Sequence, residues 1–308
     1  MLCKDKWFDV YRLEKYQKEK PMHKSIEQIL ISFHLHHFAA VPFSACHVSN
    51  STLLPQSFVP QTAIFFLIPY FTGDHKTRNV SLYAVPRDYH LFLREFFAEA
   101  LPHLQAAFPT SHFAGFGDHS PLDERHGCAI AGLGIYGDNG LLISKEYGTY
   151  QFLGEILTDL PVSEVDPAAT VHAVEHCSHC GACRRACPMQ TKPFGISECL
   201  SAVTQTKRFD SPAQEEQALK YMAAYHTVWG CDLCQTACPN NQNVNVTPIP
   251  FFWQDRLYHL DEETLNGMDT QTFRQRAYAW RGRRCITRNV QYVTRCAASK
   301  EEKSDREE

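Results

Sequence analysis

The chain has 308 residues, of which 44% are apolar and 21% are charged, and its formal net charge is −4. This length allows a sizeable core and about two domains. The slightly acidic balance excludes a protein that binds polyanions over its whole surface, although a local basic patch remains compatible with it. The most apolar run, TAIFFLIPYF, has about ten residues, roughly half of what a membrane span needs, and the amino terminus lacks the apolar run of a signal peptide. We therefore expect a cytoplasmic protein without membrane contact.

The first half of the chain predicts both helices and strands. A helix is expected in KSIEQILISFHLHHFAA, where Ser25 and Gln28 have the spacing of a capping box. TAIFFLIPY is typical of a fully buried strand ended by Pro69. RDYHLFLREFFAEALPHL has the apolar spacing of a long amphipathic helix, and NGLLIS follows a turn as a short strand. The pattern indicates a mixed α and β domain.

The composition changes at LPVSEVDPAATVHAVEH, an acidic connector that contains proline, and cysteines dominate from there to about residue 250. The stretch that follows has a helical pattern, and the final ASKEEKSDREE is a charge run that favours disorder. We predict an α+β chain in three parts: an α/β domain at 1–165, a cysteine-rich domain at 166–248, and a helical segment with a disordered charged tail at 249–308.

The cysteine-rich part contains two similar runs. HCSHCGACRRACP has the C-x2-C-x2-C-x3-C-P spacing of bacterial ferredoxins, in which the fourth cysteine ligates the other of two clusters. CDLCQTACP supplies only three cysteines, so a second cluster needs one more thiolate. Cys199 is the only cysteine between the two runs in the sequence and is the predicted eighth ligand.

This spacing predicts two [4Fe–4S] clusters in a ferredoxin-like domain, with their fourth ligands exchanged. The first cluster is assigned Cys177, Cys180, Cys183 and Cys238, and the second is assigned Cys187, Cys199, Cys231 and Cys234. Two zinc sites are the alternative, but zinc favours paired C-x2-C units. Structural disulfides are unfavourable in a reducing cytosol. The remaining cysteines lack such spacing and are expected to be ordinary thiols: Cys3, Cys46, Cys128, Cys285 and Cys296.

The hexapeptide GLGIYG matches the G-x-G-x-x-G pattern of dinucleotide-binding loops. That reading requires a helix after the loop, whereas DNG and the strand LLIS follow here. The dinucleotide interpretation therefore fails. We predict instead that Gly132, Gly134 and Gly137 let a large ligand lie against the backbone.

Several motifs resemble those of the epoxyqueuosine reductases. GDHSPLDERHGCAIAGLGIYGDNGLLISKEYGTYQFLGE is similar to the VDS-x-PVLER, AGLGWxGKNTLLI and FLGE segments of that family, and YAVPRDYH is similar to its YARGRDYH. WGCDLCQTACPNN resembles its GCDxCQxxCPWN, and FRQRAYAWRGRRCITRNVQYV resembles the segment after the clusters. The likeness extends over roughly residues 25–295 in ordered sequence.

The resemblance implies a nitroreductase-like first domain that binds cobalamin and two clusters that deliver electrons to it. The implied reaction reduces epoxyqueuosine to queuosine in tRNA, with Asp118 as the proton donor and Arg125 near the substrate. Tyr83 and Arg87 match the YARGRDYH motif, and both are assigned to cofactor binding together with Arg125, Gly132, Gly134 and Gly137. A low-potential donor such as a flavodoxin or ferredoxin is the expected reductant.

Two departures bear on the substrate. Asp138 stands where the family has lysine, and no helical-repeat extension follows RNVQYV. The basic stretch at 271–295 has no acidic residue and favours an RNA backbone; its arginines are Arg274, Arg276, Arg281, Arg283, Arg284, Arg288 and Arg295. The alternatives are a corrinoid reductase of another substrate, or a two-cluster electron-transfer protein without cobalamin.

Overall fold

A computed structural model describes residues 22–75, 77–189 and 199–304. The chain divides into two compact units built from interleaved segments. The first contains the described residues up to Phe71, then Phe92–Cys183 and Ala237–Ile249. The second contains Thr72–Leu91, Arg184–Thr236 and the described residues from Pro250 onward. The domain boundaries at residues 165 and 248 were placed where the composition of the sequence changes, and they remain a prediction.

The first unit contains a four-stranded antiparallel sheet and a two-stranded one. The strands are β1 (Phe38–Pro42), β2 (Thr62–Pro69), β3 (Phe113–Phe116), β4 (Ile135–Tyr136), β5 (Leu142–Ile143) and β6 (Gln151–Thr158). The larger sheet has the order β1-β2-β6-β3, and β4 pairs with β5. The register between β3 and β6 places Phe116 opposite Glu155. This pairing brings the segment after β3 to the middle of β6.

The helices are α1 (Lys24–Ser32), α2 (Tyr89–Ala107), α3 (Glu124–Ile130), α4 (Val162–Val165), α5 (Ala182–Ala186), α6 (Leu200–Thr204), α7 (Pro212–Ala224), α8 (Leu233–Thr236), α9 (Glu262–Gly267), α10 (Thr270–Arg274) and α11 (Arg283–Ser304). Short 3₁₀ helices lie at Phe43–Ala45, Ser51–Leu53, Leu82–Ala84, Pro239–Asn241, Pro250–Trp253 and Ala279–Arg281. None of the described helices is long and apolar enough to cross a membrane.

Helices cover both faces of β2, which explains why every residue of this strand is buried. Phe66 contacts Phe96 of α2 with ring centroids 5.2 Å apart. Phe65 points to the other face, where α3 approaches so closely that a Cβ on Gly127 would lie 2.0 Å from the Phe65 ring. The predicted buried strand is therefore confirmed, and glycine at 127 is needed for the contact with α3.

The second unit is helical around a core that contains Trp229 and Tyr278. Their ring centroids lie 6.1 Å apart. The fully buried Asn289 of α11 donates to the backbone oxygens of Thr204 and Val228 at 2.7 and 3.0 Å. Because both hydrogen bonds of the amide are made, its burial costs little free energy. The two bonds fix α11 against the end of α6 and the turn that follows α7.

Two expectations about helix ends are wrong. The first residue before α1 is His23, whose ring Nδ1 accepts from the Ser25 amide at 3.3 Å, so Ser25 itself is not the cap. At the other end, α11 continues to Ser304, into the charge run for which we expected disorder. Neither glycine nor proline interrupts that run, and Ala, Glu and Lys favour helix. Residues 305–308 lie outside the described residues, as does Cys3.

Candidate functional site

The first cysteine group lies in the first unit, and its four members line one cavity: Cys177, Cys180, Cys183 and Cys238. Cys177 is placed by its amide, which donates to the Tyr136 backbone oxygen of β4 at 2.8 Å. Burial raises the pKa of Cys238, and the charges of the other three thiols raise it further. The loop curls through Gly181, whose φ of +71° suits glycine.

The second group lies in the second unit and consists of Cys187, Cys199, Cys231 and Cys234. Burial raises the pKa of Cys231 to about 11 and that of Cys234 to about 12, and the charges of Cys187 and Cys199 act on both. Cys199 is the residue that precedes α6, and α8 begins between Cys231 and Cys234. The distant Cys199 is thus close to the other three thiols.

Each group offers four thiol sulfurs, which is the donor set of a [4Fe–4S] cluster. The raised pKa values mean that these buried thiols would not ionise in an empty site near neutral pH, since burial disfavours the charged form. Iron coordination supplies the positive charge that stabilises the thiolates. The residues present therefore fit two clusters.

Asp232, between Cys231 and Cys234, organises the second loop, and the sequence analysis missed it. Its carboxylate is 1% exposed and accepts from Arg78 Nη1 at 2.8 Å and from the Leu82 amide at 2.7 Å. Ser81 donates its hydroxyl proton to the same carboxylate. The signal available in the sequence was the one acidic residue of the ligand run CDLCQTACP.

Asp118 lies in the loop that follows β3. It has a φ of +65°, a left-handed conformation that is unfavourable for a non-glycine residue. Its backbone amide donates to Glu124 Oε1 at 3.1 Å. Two residues on, Ser120 donates its hydroxyl proton to Glu155 Oε1 at 2.6 Å. Contacts with two glutamates thus hold this loop.

Neither glutamate was predicted as a site residue. Burial raises the pKa of Glu124 to about 8 and that of Glu155 to about 7, and the charge of Glu155 raises the pKa of Glu124 further. The signal available in the sequence was that Glu124 belongs to the LDER segment and Glu155 to the FLGE segment, both of which resemble family motifs. At neutral pH this pair retains protons that exposed carboxyls release.

Arg125, the second residue of α3, donates from Nη1 to the Gly140 backbone oxygen at 3.0 Å. It thereby connects α3 to the glycine-rich loop. In that loop a Cβ on Gly132, Gly134 or Gly137 would meet His172, the Ile143 backbone or Asn139, within 3.0 Å in each case. The protein itself explains these three glycines, and their contact with a cofactor remains a prediction.

Tyr83 and Arg87 belong to the second unit, whereas Asp118 and Arg125 belong to the first. The Arg87 guanidinium lies 4.4 Å from the centroid of the Phe251 ring. Tyr83 packs against the core of the second unit. Both contacts are consistent with packing, and the predicted role of these two residues in cofactor binding remains a prediction.

Asp138 pairs with a histidine of the first cysteine loop. Its Oδ1 lies 2.7 Å from Nδ1 of His179, which stands between Cys177 and Cys180. The aspartate at the position where the family has lysine therefore has a partner within the first unit. A lysine there would face a histidine that is able to carry the same charge.

The basic stretch divides into buried and exposed arginines. Arg276 donates to the Asp255 backbone oxygen, Arg283 to those of Leu265 and Met268, and Arg288 to that of Thr206. These three arginines serve the fold of the second unit. Arg274, Arg284 and Arg295 are exposed, and Arg281 lies 3.6 Å from the ring centroid of Trp280, which is 58% exposed.

Comparison with known proteins identifies a 4Fe-4S binding domain and relatives that are similar over two thirds of the chain. The sequence model of the 4Fe-4S binding domain matches residues 174–190 and 229–242. The epoxyqueuosine reductase of Lactococcus garvieae is 32% identical over 217 residues, which are 67% of this chain and 58% of that protein. The chain thus spans less than two thirds of the length of this curated relative.

Solved structures show the same fold. The epoxyqueuosine reductase of Streptococcus thermophilus aligns with a TM-score of 0.70 at 20% identity, covering 88% of this chain and 80% of that one. An epoxyqueuosine reductase with a tRNA-Tyr epoxyqueuosine-modified stem loop aligns at 0.67 and 19% identity, with the same coverage. This chain, with its mixed α and β fold and its 4Fe-4S binding domain, is similar to the epoxyqueuosine reductases in sequence and in fold.

Proposed function

We propose that this chain is an oxidoreductase that uses two [4Fe–4S] clusters and a cobalamin to reduce epoxyqueuosine in tRNA to queuosine. The observation that carries the proposal is the grouping of eight cysteines into two sets of four, in a chain that also holds Asp118 on a loop that contacts the buried Glu155 and the half-buried Glu124. The ferredoxin-like character of residues 166–248 and the nitroreductase-like character of residues 1–165 belong to the same proposal.

The first unit contains buried polar atoms that fit a corrinoid. His126 Nδ1 and Asn139 Nδ2 are buried and have no hydrogen-bond partner among the described residues. Cobalamin carries amide side chains that both donate and accept hydrogen bonds, and such groups would satisfy the two atoms. When bound and reduced through the clusters, it would supply the two electrons of the reaction.

The protein's own contribution is positioning and a proton. Reduction of the epoxide to an alkene consumes two electrons and two protons and releases the oxygen as water. The leaving oxygen needs a proton, and Asp118 is the residue we assign to deliver it. Arg125 is the residue we assign to the substrate's vicinity, because its guanidinium joins α3 to the loop at Gly140.

The RNA substrate is supported by the exposed side of the basic stretch. Trp280 and Arg281 offer an aromatic ring and a cation together, and Arg274 and Arg284 add charge for phosphates. Three of the seven arginines bind backbone carbonyls instead, so the surface is smaller than the sequence alone suggested. A flavodoxin or ferredoxin of low potential is the proposed electron donor.

A two-cluster electron-transfer protein without cobalamin is the second candidate. It is favoured by the glycine-rich loop, whose three glycines are explained by contacts within the protein. Metal analysis separates the two. After anaerobic reconstitution with iron, sulfide and cobalamin, the reductase binds about eight irons and one cobalt per chain. About eight irons without cobalt would select the electron-transfer protein.

A further inference from the structure

One buried and one half-buried glutamate contact the Asp118 loop. Glu155, in the middle of β6, is 0% exposed, and its neighbours in register are Phe65 of β2 and Phe116 of β3. Its Oε1 accepts the Ser120 hydroxyl proton, whereas its Oε2 is buried without a hydrogen-bond partner among the described residues. A carboxylate charge is poorly stabilised in such surroundings.

Glu124 begins α3 and contacts the same loop at a second point. Its Oε1 accepts from the Asp118 amide at 3.1 Å, while the hydroxyl of Ser120 accepts from the Leu122 amide at 2.9 Å. The left-handed backbone at Asp118 costs free energy and persists only where surrounding contacts impose it. The two glutamates provide such contacts at residues 118 and 120.

The acidic groups near the pair disfavour its ionisation. The charges of Asp118, Asp123 and Glu155 act on Glu124 and raise its pKa. The thiols of Cys128 and Cys46 are buried near enough to the carboxyls to interact with them electrostatically. Each contact with the loop is made to a carboxyl oxygen, which accepts a hydrogen bond in either protonation state.

We propose that Glu124 and Glu155 are positioning residues for Asp118, which hold the loop at 118–120 through the Asp118 amide and the Ser120 hydroxyl. The proposal rests on the proposed role of Asp118. It assigns the two glutamates no contact with the substrate. Their effect on the reaction passes through the position of the Asp118 loop.

Hydrogen–deuterium exchange in the full-length reconstituted protein tests the loop without turnover. The wild-type peptide that contains residues 118–122 is expected to be protected from exchange, after correction for intrinsic exchange rates. Ser120→Ala removes one contact and is expected to raise exchange about fivefold to tenfold. Glu155→Gln keeps an oxygen that accepts from the Ser120 hydroxyl and is expected to retain most of the protection.

Exposed Glu164 on α4 gives a matched control, and Glu164→Gln is expected to match wild type. In single-turnover assays with an epoxyqueuosine stem loop, Glu124→Ala is expected to lower the rate but not RNA affinity, and Glu124→Gln to restore most of the rate. Unchanged loop exchange in Ser120→Ala overturns the proposal, as does equal loss of rate in Glu124→Gln and Glu124→Ala. If Ser120→Ala raises loop exchange as expected but the wild-type protein does not convert the stem loop, the proposed function fails, and the role of the two glutamates in holding the loop is retained.

Discussion

Glu155 and Glu124 differ from the exposed acids of the chain because burial disfavours the charged form of their carboxyl groups. The pKa of Glu155 is raised to about 7 and that of Glu124 to about 8, from an ordinary value of 4.5. The folded protein therefore retains protons that the unfolded chain releases. The resulting contribution to stability is complete below pH 4.5 and is lost as the pH rises through 7 and 8.

Glu155→Gln tests this sign directly. The glutamine has no charge to bury, so the variant is expected to lose less stability than wild type as the pH rises from about 4.5 to above 8. The shift of Glu155 corresponds to about 3 kcal/mol over that range. The measurement is the midpoint of thermal unfolding across the pH range, with Glu164→Gln as control. Parallel curves for Glu155→Gln and wild type contradict the assignment.

The second prediction at this scale concerns Asp232, which contacts Arg78 together with Asp74. Asp232→Asn leaves a guanidinium that is 17% exposed without its buried carboxylate, and we expect a loss of about 3 kcal/mol in unfolding free energy. Asp74 contacts the same guanidinium at 2.6 Å but is 51% exposed. Asp74→Asn is expected to cost less than about 1 kcal/mol. Equal losses in the two variants would show that the buried contact is not the important one.

The grouping of the cysteines could be predicted from sequence because their spacing is local and chemically specific. Glu124 and Glu155 could not, since the contact between the Asp118 loop and Glu155 depends on the pairing of β3 with β6. No short motif encodes that register. The same limit applies to Asp138, whose partner His179 stands 41 positions away.

At the scale of elements, continuous apolar runs predicted strands correctly, whereas the ends of helices were predicted poorly. The run TAIFFLIPY predicted β2, and the absence of a helix after GLGIYG is confirmed by β4 and β5. The cap of α1 was misassigned because His23 uses a ring nitrogen where serine was expected to use its hydroxyl. The glycines of the loop looked like a ligand surface, but their neighbours are His172, Asn139 and the Ile143 backbone.

Cys199, immediately before α6, tests how separate elements build one cluster. Cys199→Ala is expected to lower the iron content from about eight to about four per chain, because one cluster loses a ligand and the other keeps all four. Cys296→Ala, on α11, is the control and is expected to retain about eight. Iron and sulfide analysis with electron paramagnetic resonance of the reduced protein gives the answer. A full iron content in Cys199→Ala would exclude this residue as the eighth ligand.

At the scale of the whole molecule, each of the two units is built from three separate stretches of the chain. Residues 237–249 return to the first unit, where Asn241 Oδ1 accepts from the Thr149 amide at 2.8 Å and the Thr247 amide donates to the Phe71 oxygen at 2.7 Å. Composition along the sequence does not reveal such a return. The prediction of a mixed α and β fold is confirmed, whereas the interleaving of segments had no signal in the sequence.

The proposed RNA binding by an acidic chain requires a local basic surface, and substitution of Trp280 tests it. Trp280→Ala is expected to weaken binding of a tRNA anticodon stem loop by about 1–3 kcal/mol through lost stacking, with an unchanged salt dependence. Arg284→Gln is expected to reduce the salt dependence instead. Lys220→Gln, which changes an exposed lysine of α7 that pairs with Glu216, is the control and is expected to bind as wild type. Equal affinities for Trp280→Ala and wild type would remove this surface from the account.

The most direct test of the central claim is the conversion of an epoxyqueuosine-containing stem loop by the reconstituted protein under a low-potential reductant. Mass spectrometry of the released nucleoside is expected to show loss of one oxygen atom with wild type. Asp118→Asn is expected to bind the same RNA and metals but to react about 10²- to 10⁴-fold more slowly. Unreacted epoxyqueuosine with protein that carries both clusters and cobalt would contradict the proposed reductase.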